Sequence, residues 1–354
     1  MKLLFIDITT QLNSFTDLET KGRGGMVSSL YLLPNALSQI GHEVSVLSDV
    51  KQGGTTKDGV RWLVESDMEW LVRSEFDFII LNRQTYGDCF DEIRAKHRIL
   101  WVHDMVHGGF VTKPGVARVA LSATIFMSWY SEETWRSYYR DWPKRSFRIP
   151  NGVDDKLFYP GDEKDLRQVI FFSAPNRGLE YLPIIKETVE GGTGVTIRLV
   201  AFSRMSKLHP VENDDKFQDI YDSVRARGVD LRDPVPQSEL AAWVRSSGIM
   251  VKPNDYAETC SNVVLQSLAS GVPVVTTPVG ADKEFVKTGW NGIVTKHTLQ
   301  DGPLFVMEVI RGVAEILRDK KFHRKLIKNA PKTKRLYTWK EIGFFWSKAL
   351  TRVF

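Results

Sequence analysis

Only two cysteines, Cys89 and Cys260, occur in 354 residues. Two thiols cannot form a disulfide framework or a four-cysteine zinc site, and they suit a reducing compartment. Long apolar runs are also missing. The stretch opening MKLLFIDITTQ stops at Asp7, too short for a secretory signal. No later run approaches the roughly 20 apolar residues that span a bilayer. A soluble, cytoplasmic protein is the expectation. Low-complexity tracts and short repeats are absent as well. With 42% apolar and 26% charged residues the mix is globular, which excludes collagen-like and disordered chains. The length calls for two domains of about 150 residues each.

The net charge of +5 is unevenly placed. Residues 320–354 carry eleven Lys and Arg against one acid, Glu341, so the rest of the chain is net acidic. Such a basic region can meet anionic lipid or nucleic acid, or can simply form a solvated helix face.

Apolar runs rich in β-branched and aromatic residues alternate with helix-like stretches. Strands are expected at Leu3–Ile6, Val44–Leu47, Val60–Val64, Phe78–Leu81, Ile99–Val102, Ile125–Met127 and Phe147–Ile149. Helix-like segments lie at 66–74, 86–95 and 131–141. A further helix starts at Met26, with Leu30, Leu33 and Leu37 on one face and a kink expected at Pro34. The turn Pro150-Asn151-Gly152 resets the pattern. Strands then read Val169–Phe172, Val195–Ala201, Ile249–Val251, Val272–Thr276 and Gly292–Val294. Helices are expected at 178–190, 215–226, 237–246, 262–270, 282–287 and 303–318. Residues 321–354 read as helical, with Trp339, Ile342, Phe345, Trp346 and Leu350 on one apolar face that docks on the first domain. Alternating strands and helices imply parallel sheets covered on both faces. Two doubly wound domains facing across a cleft are expected, with ligands beyond the carboxyl ends of the strands.

Several motifs compete for a chemical role. Gly22, Gly24 and Gly25 lack the third glycine and the tight strand-to-helix turn of a dinucleotide loop, so a nicotinamide enzyme is not expected. Gly24-Gly25 still precedes a helix, where bare amides can approach an anion or a sugar; an ordinary flexible helix entry is the alternative. His103-Asp104-Met105-Val106-His107 imitates a zinc-hydrolase motif, but Asp stands where the general-base Glu belongs and Gly108-Gly109 ends any helix. His103, just past a strand, either donates to a sugar hydroxyl or is a structural histidine. Arg177 opens a helix after a strand, a place suited to phosphate. The segment from Lys252 to Gly280 is the most informative. It carries Glu258 on a polar loop, Ser261 or Asn262 as the cap of the next helix, and Gln266 eight residues after Glu258. Glu258 can orient a polyol there, or serve as a second cap or a surface acid.

This segment resembles the E-x7-E region of retaining glycosyltransferases of the GT-B fold, family 4. Other pieces resemble the same family in the same order: Gly24-Gly25 with GHEVSVL, WVHD at 101–104, IPNGVD at 149–154, SAPNRGLEYL at 173–182 and VPQSELAAWVRSSGIMVKPNDYAET. The resemblance implies an α/β fold of two Rossmann-like domains, 1–152 on the acceptor side and 153–335 binding a nucleotide sugar, with 336–354 returning to the first. It implies that Arg177 meets a diphosphate together with the amides of Ser261, Asn262 and Val263. Glu258 would hold donor-sugar hydroxyls, Gln266 the ribose, and Val235 the neighbourhood of the base. Gly24 and Gly25 would approach the phosphates and acceptor, and His103 the sugar near the reacting carbon. Glu258 and His103 are thus the residues expected to carry activity. No cofactor and no metal are implied, since basic groups and a helix N-terminus neutralise the leaving diphosphate.

The partners implied are a UDP- or GDP-hexose donor and a glycan or lipid-linked acceptor. A weak anionic membrane contact through 320–354, at the inner face, and no nucleic acid complete the expectation. Two departures stand out: Gln266 replaces the second acid, and the usual Arg-plus-Lys pair at the diphosphate is reduced to Arg177 unless Arg204 or Lys207 supplies a charge. These departures motivate a second reading, a non-catalytic member that binds a sugar nucleotide or a protein partner. A third, a sugar-nucleotide epimerase of related fold, is disfavoured by the order of the pieces.

Overall fold

The computed structural model describes residues 1–16, 25–84, 90–106, 120–139, 145–161, 163–208 and 212–353. Contacts divide the chain into two units. The first takes in Met1–Thr20, Met26–Gly152 and Tyr337–Phe354; the second takes in Lys21–Gly25 and Val153–Leu336.

Among the described residues the first unit holds eight strands: β1 (Lys2–Ser14), β2 (Glu43–Gln52), β3 (Gly54–Thr55), β4 (Arg61–Leu63), β5 (Glu75–Asn82), β6 (Arg94–Val102), β7 (Ala123–Phe126) and β8 (Ser146–Arg148). Their order is β3-β4-β2-β1-β5-β6-β7-β8, parallel except for the short β3–β4 pair. The direction of strand order reverses between β1 and β5. Alternation along β1 splits the core. Leu3 and Phe5 pack with Leu30, Leu33 and Leu37 of α1 (Gly25–Gln39), while Leu4 and Ile6 pack with Ile79, Leu81 and Trp135 on the other face. Two further helices belong here, α2 (Met68–Arg73) and α3 (Trp129–Tyr138). The helix α1 runs through Pro34 as one element.

Among the described residues the second unit has six parallel strands: β9 (Asp165–Phe171), β10 (Arg198–Phe202), β11 (Asp230–Arg232), β12 (Ser247–Lys252), β13 (Val274–Thr276) and β14 (Gly292–Val294). Their order is β11-β10-β9-β12-β13-β14, so here too the order reverses beside the first strand, between β9 and β12. Its helices are α4 (Leu182–Thr193), α5 (Met205–Leu208), α6 (Gln218–Ala226), α7 (Gln237–Ser246), α8 (Asn262–Ala269), α9 (Asp282–Phe285), α10 (Leu304–Arg318) and α11 (Lys320–Asn329). The last helix, α12 (Trp339–Thr351), belongs to the first unit, where Trp339, Ile342, Trp346 and Leu350 complete the core beside Phe5 and Trp101.

Three expectations need correction. Residues 86–95 are not a helix: 85–89 lie outside the described residues, 90–93 form turns, and Arg94 already pairs with Glu75 in β6. The polar start of β6 is only partly covered, so it lacks the apolar run that marks a strand in sequence. Residues 321–354 are two helices, α11 and α12, separated by a turn at Ala330–Lys332 that contains Pro331 and by Arg335 at φ 67. Phe345 is not on the buried face of α12. It is 38% exposed and meets Tyr337 edge-on, because the helix buries the row through Trp339, Ile342 and Trp346 instead.

Candidate functional site

The reversal between β9 and β12 is where an open α/β sheet offers a crevice at its strand ends. Arg177 comes from the loop after β9 and Glu258 from the loop after β12. Arg177 ends a short 3₁₀ turn, Pro175–Arg177, and Gly178 follows at φ 96. A Cβ on Gly178 would stand 2.0 Å from the Pro253 carbonyl oxygen, so only glycine lets the two loops meet. The Glu258 backbone is packed as tightly against Gly280, at φ 71, where a Cβ would lie 2.6 Å from the Glu258 nitrogen. The Glu258 carbonyl accepts from the Ala281 amide at 2.9 Å.

These loops bring Arg177 Nε to 3.3 Å from Glu258 Oε1. The guanidinium also stacks on Tyr256, 3.3 Å from the ring centroid. Arg177 Nη1 is buried and has no hydrogen-bond partner among the described residues. The other carboxylate oxygen, Glu258 Oε2, accepts from Lys252 Nζ at 2.5 Å. Lys252, the last residue of β12, is wholly buried, and its ammonium also donates to Ser261 Oγ at 3.0 Å and Asp282 Oδ2 at 2.8 Å. Burial alone would raise the Glu258 pKa. The charges of Lys252 and Arg177, with hydrogen bonds from Lys252 and Ser261, outweigh it and hold the carboxyl down to about 2. Burial acts on the Lys252 ammonium in the opposite sense, but Asp282 and Glu258 keep its pKa above the ordinary lysine value. Asp282 pays for its burial with a raised pKa that Lys252 only partly offsets.

Ser261 holds the N-cap position of α8, but its hydroxyl makes no cap hydrogen bond and instead accepts from Lys252. That corrects the capping role expected of Ser261 or Asn262: Ser261 holds the cap position, but its side chain does not cap the helix. Gln266, one turn on, donates through Nε2 to Gln237 Oε1 at 3.0 Å. Val235 lies partly exposed just before α7, whose N-cap is Pro236. Arg204 is engaged elsewhere: its Nε stands 2.6 Å from Asp233 and its Nη1 3.8 Å from Asp214. Lys207 is exposed on α5. The second cation beside Arg177 is therefore Lys252, which the sequence reading left without a role.

The first unit repeats the arrangement at its own reversal, between β1 and β5. Asp7 accepts from Thr9 and Asn82, at 2.7 to 2.9 Å and 2.6 Å. Arg83, at φ 70, pairs with Asp104 through Nε at 2.7 Å and reaches Thr9 Oγ1 at 3.2 Å. A left-handed arginine costs roughly 1–2 kcal/mol, so that position is over-determined by its partners. His103 follows β6 and is buried against Trp101, ring centroids 4.1 Å apart. Burial, helped by the Arg83 charge, lowers its pKa to about 3, so the imidazole is neutral at ordinary pH. Gly25 opens α1; Gly24 and His107 lie outside the described residues. Among the described residues no three or more His, Cys, Asp or Glu side chains gather as a metal-binding set.

Comparison with known proteins shows what the chain is similar to. Residues 183–314 match the family described as glycosyl transferases group 1. Over 188 residues the chain is 27% identical to D-inositol 3-phosphate glycosyltransferase 1 of Catenulispora acidiphila, covering 49% of this chain and 44% of that protein. The Paenarthrobacter aurescens D-inositol 3-phosphate glycosyltransferase is 39% identical over 75 residues, 21% of this chain and 18% of that one. The chain thus spans less than half the length of these curated relatives. Among solved structures, sucrose-phosphate synthase from Thermosynechococcus elongatus superposes with TM-score 0.74 at 17% identity, covering 99% of this chain and 98% of that one. Anabaena HepE in complex with UDP-glucose gives 0.73 at 14% identity, covering 99% and 100%. The chain has the GT-B fold, and its residues 183–314 are similar to the group 1 glycosyltransferases.

Proposed function

We propose that this chain is a glycosyltransferase moving a hexose from a UDP- or GDP-sugar to a hydroxyl of a glycan, glycolipid or related acceptor, with retention at the anomeric carbon. The observation that carries the reading is the second unit's strand-end cluster. Arg177, whose Nη1 has no hydrogen-bond partner among the described residues, and the N-terminal turn of α8 lie next to an ionised carboxylate. Arginine and helix amides suit a diphosphate, while a carboxylate accepts from sugar hydroxyls. Relatives bearing inositol-phosphate glycosyltransferase names and a neighbour solved with UDP-glucose support the same donor class.

In this proposal the bond from the anomeric carbon to the diphosphate oxygen breaks through an oxocarbenium-like state. Arg177 and the amides of Asn262 and Val263 take up the charge on the leaving diphosphate. The acceptor oxygen bonds to the same face of the sugar and its proton passes to a donor phosphate oxygen. Glu258 stays ionised and fixes the sugar, so the protein acts mainly by positioning and charge stabilisation. Gln266 serves the ribose and Val235 the vicinity of the base. His103, neutral, contributes a hydrogen bond rather than a proton. No bound metal is needed for these steps. A weak contact of 320–354 with anionic membrane at the cytoplasmic face belongs to the proposal. It rests on the exposed Lys320, Lys321, Arg324, Lys325 and Lys328 of α11. No helix among the described residues is long and apolar enough to cross a membrane.

Gln266, already bonded to Gln237, favours the second reading of a member that binds without turnover. A panel of sugar nucleotides separates the two. Release of UDP or GDP in the presence of acceptor, with an unchanged anomeric configuration by NMR, supports transfer. Binding with no release supports the non-catalytic reading, and interconversion of the sugars would instead mark an epimerase.

A further inference from the structure

Lys252 is an unusual residue to find wholly buried at the end of a central strand. All three of its ammonium hydrogens are used, on Glu258, Ser261 and Asp282. Asp282 accepts from Thr276 as well, at 2.9 Å, while its Oδ1 is buried without a partner among the described residues. Stability is a poor reason for such a group, because a buried ion pair seldom outperforms an apolar pair of similar volume. Orientation is a better one. Glu258 presents one oxygen to each of two cations, Oε2 to Lys252 and Oε1 to Arg177. The contact to Lys252 is the shorter, at 2.5 Å against 3.3 Å. With Oε2 on Lys252, Glu258 meets Arg177 through Oε1 alone and not in the two-pronged carboxylate–guanidinium pair, the strongest geometry available to those two groups.

We propose that Lys252 is a positioning residue: it anchors Glu258 through Oε2, so that Arg177 keeps its outer guanidinium edge for the diphosphate and Glu258 keeps its place for the donor sugar. Asp282 and Thr276 fix the ammonium from behind, and Ser261 gives up its cap hydrogen bond to do the same from the helix side. Without Lys252, Glu258 closes onto Arg177 with both oxygens, and diphosphate and carboxylate compete for one cation. This inference rests on the function proposed above and adds a residue to its machinery.

The test is the double variant Lys252→Met/Asp282→Leu, which removes both buried charges and keeps the volume apolar. Thermal unfolding should show it as stable as the parent or more so. Calorimetry with UDP and GDP should then show binding weakened about tenfold. Turnover of the sugar nucleotide used by the parent should fall about a hundredfold through kcat, the scale of misplacing a positioning group. A stable double variant with parental diphosphate affinity and kcat would make Lys252 merely structural and overturn the inference. Failure of the parent chain to bind either diphosphate would instead remove the functional reading, and this inference with it. A readout on the parent protein covers the case in which the variant does not fold. With 15N-labelled lysine, the slowly exchanging Lys252 ammonium resonance should shift on saturation with the sugar nucleotide. An unmoved resonance in a saturated sample contradicts the proposal.

Discussion

The two sheets end alike and are equipped differently. Both reverse their strand order beside their first strand, and both gather polar groups on the strand ends flanking that reversal. At the first, Arg83 is paired by Asp104, Asp7 is held by Thr9 and Asn82, and the nearby histidine is neutral. At the second, Glu258 lies between Arg177 and Lys252, Lys252 also pairs with Asp282, and among the described residues Arg177 Nη1 has no hydrogen-bond partner. The shared topology explains why polar residues collect at both places. It does not explain the chemistry, which follows from how the charges are matched. Where cations and carboxylates pair locally, the cluster shapes the backbone. Where a guanidinium edge stays unpaired among the described residues beside a helix N-terminus, an anion is the natural complement.

The largest effect expected from breaking the second cluster comes from its backbone. Gly178→Ala should lose about 3 kcal/mol or more of unfolding free energy in urea, since it combines a left-handed φ with a contact no Cβ can make. A loss under 1 kcal/mol would mean that the two loops are free to part. Next, Arg177→Ala in a folded protein should weaken UDP or GDP binding by about 1.5–3 kcal/mol, the scale of a charged hydrogen-bonding contact. Unchanged affinity by calorimetry would remove Arg177 from the diphosphate.

The first cluster is probed through His103. Its folded pKa, about 3, lies below the ordinary histidine value of 6.5, so the unfolded chain binds a proton that the folded chain does not. Stability therefore falls as pH drops from about 6.5 toward 3, by up to about 1.4 kcal/mol per pH unit from this one group. His103→Gln should flatten the slope of unfolding free energy against pH by one proton; an unchanged slope would show that His103 titrates freely. The smallest effect concerns α11. Reversing Lys325 and Lys328 to Glu should reduce binding to anionic vesicles by about 1 kcal/mol per lysine removed, and salt should weaken the parent's binding in the same way. Sedimentation that is salt-insensitive and equal for parent and variant would leave a solvated face.

Much of this was legible in the sequence because strand ends announce themselves. Polar loops directly after Val251 and Phe172 made Glu258 and Arg177 candidates. Their meeting depends on the strand order, which alternating runs do not encode. Lys252 has no role in the sequence reading for a physical reason: a lysine ending an apolar strand ordinarily points to water, and its burial is made tolerable by Glu258, Ser261 and Asp282, the last thirty residues on. The helix expected at 86–95 shows the same limit. The polar start of β6 takes its conformation from pairing with β5, not from its own composition. Asp7 lies within β1, Asn82 and Arg83 at the end of β5 and Asp104 just after β6, and nothing in their local spacing links them.

The central claim is that Glu258, held between Lys252 and Arg177, is an ionised acceptor serving the donor sugar and more than a structural ion-pair member. Glu258→Gln tests it most directly, because the amide keeps the shape and removes the charge. With the sugar nucleotide the parent uses, release of nucleoside diphosphate should fall about a hundredfold, the equivalent of about 2.7 kcal/mol in the transition state, while affinity for the bare diphosphate stays near the parent's. Near-parental turnover in a folded Glu258→Gln protein would contradict the account.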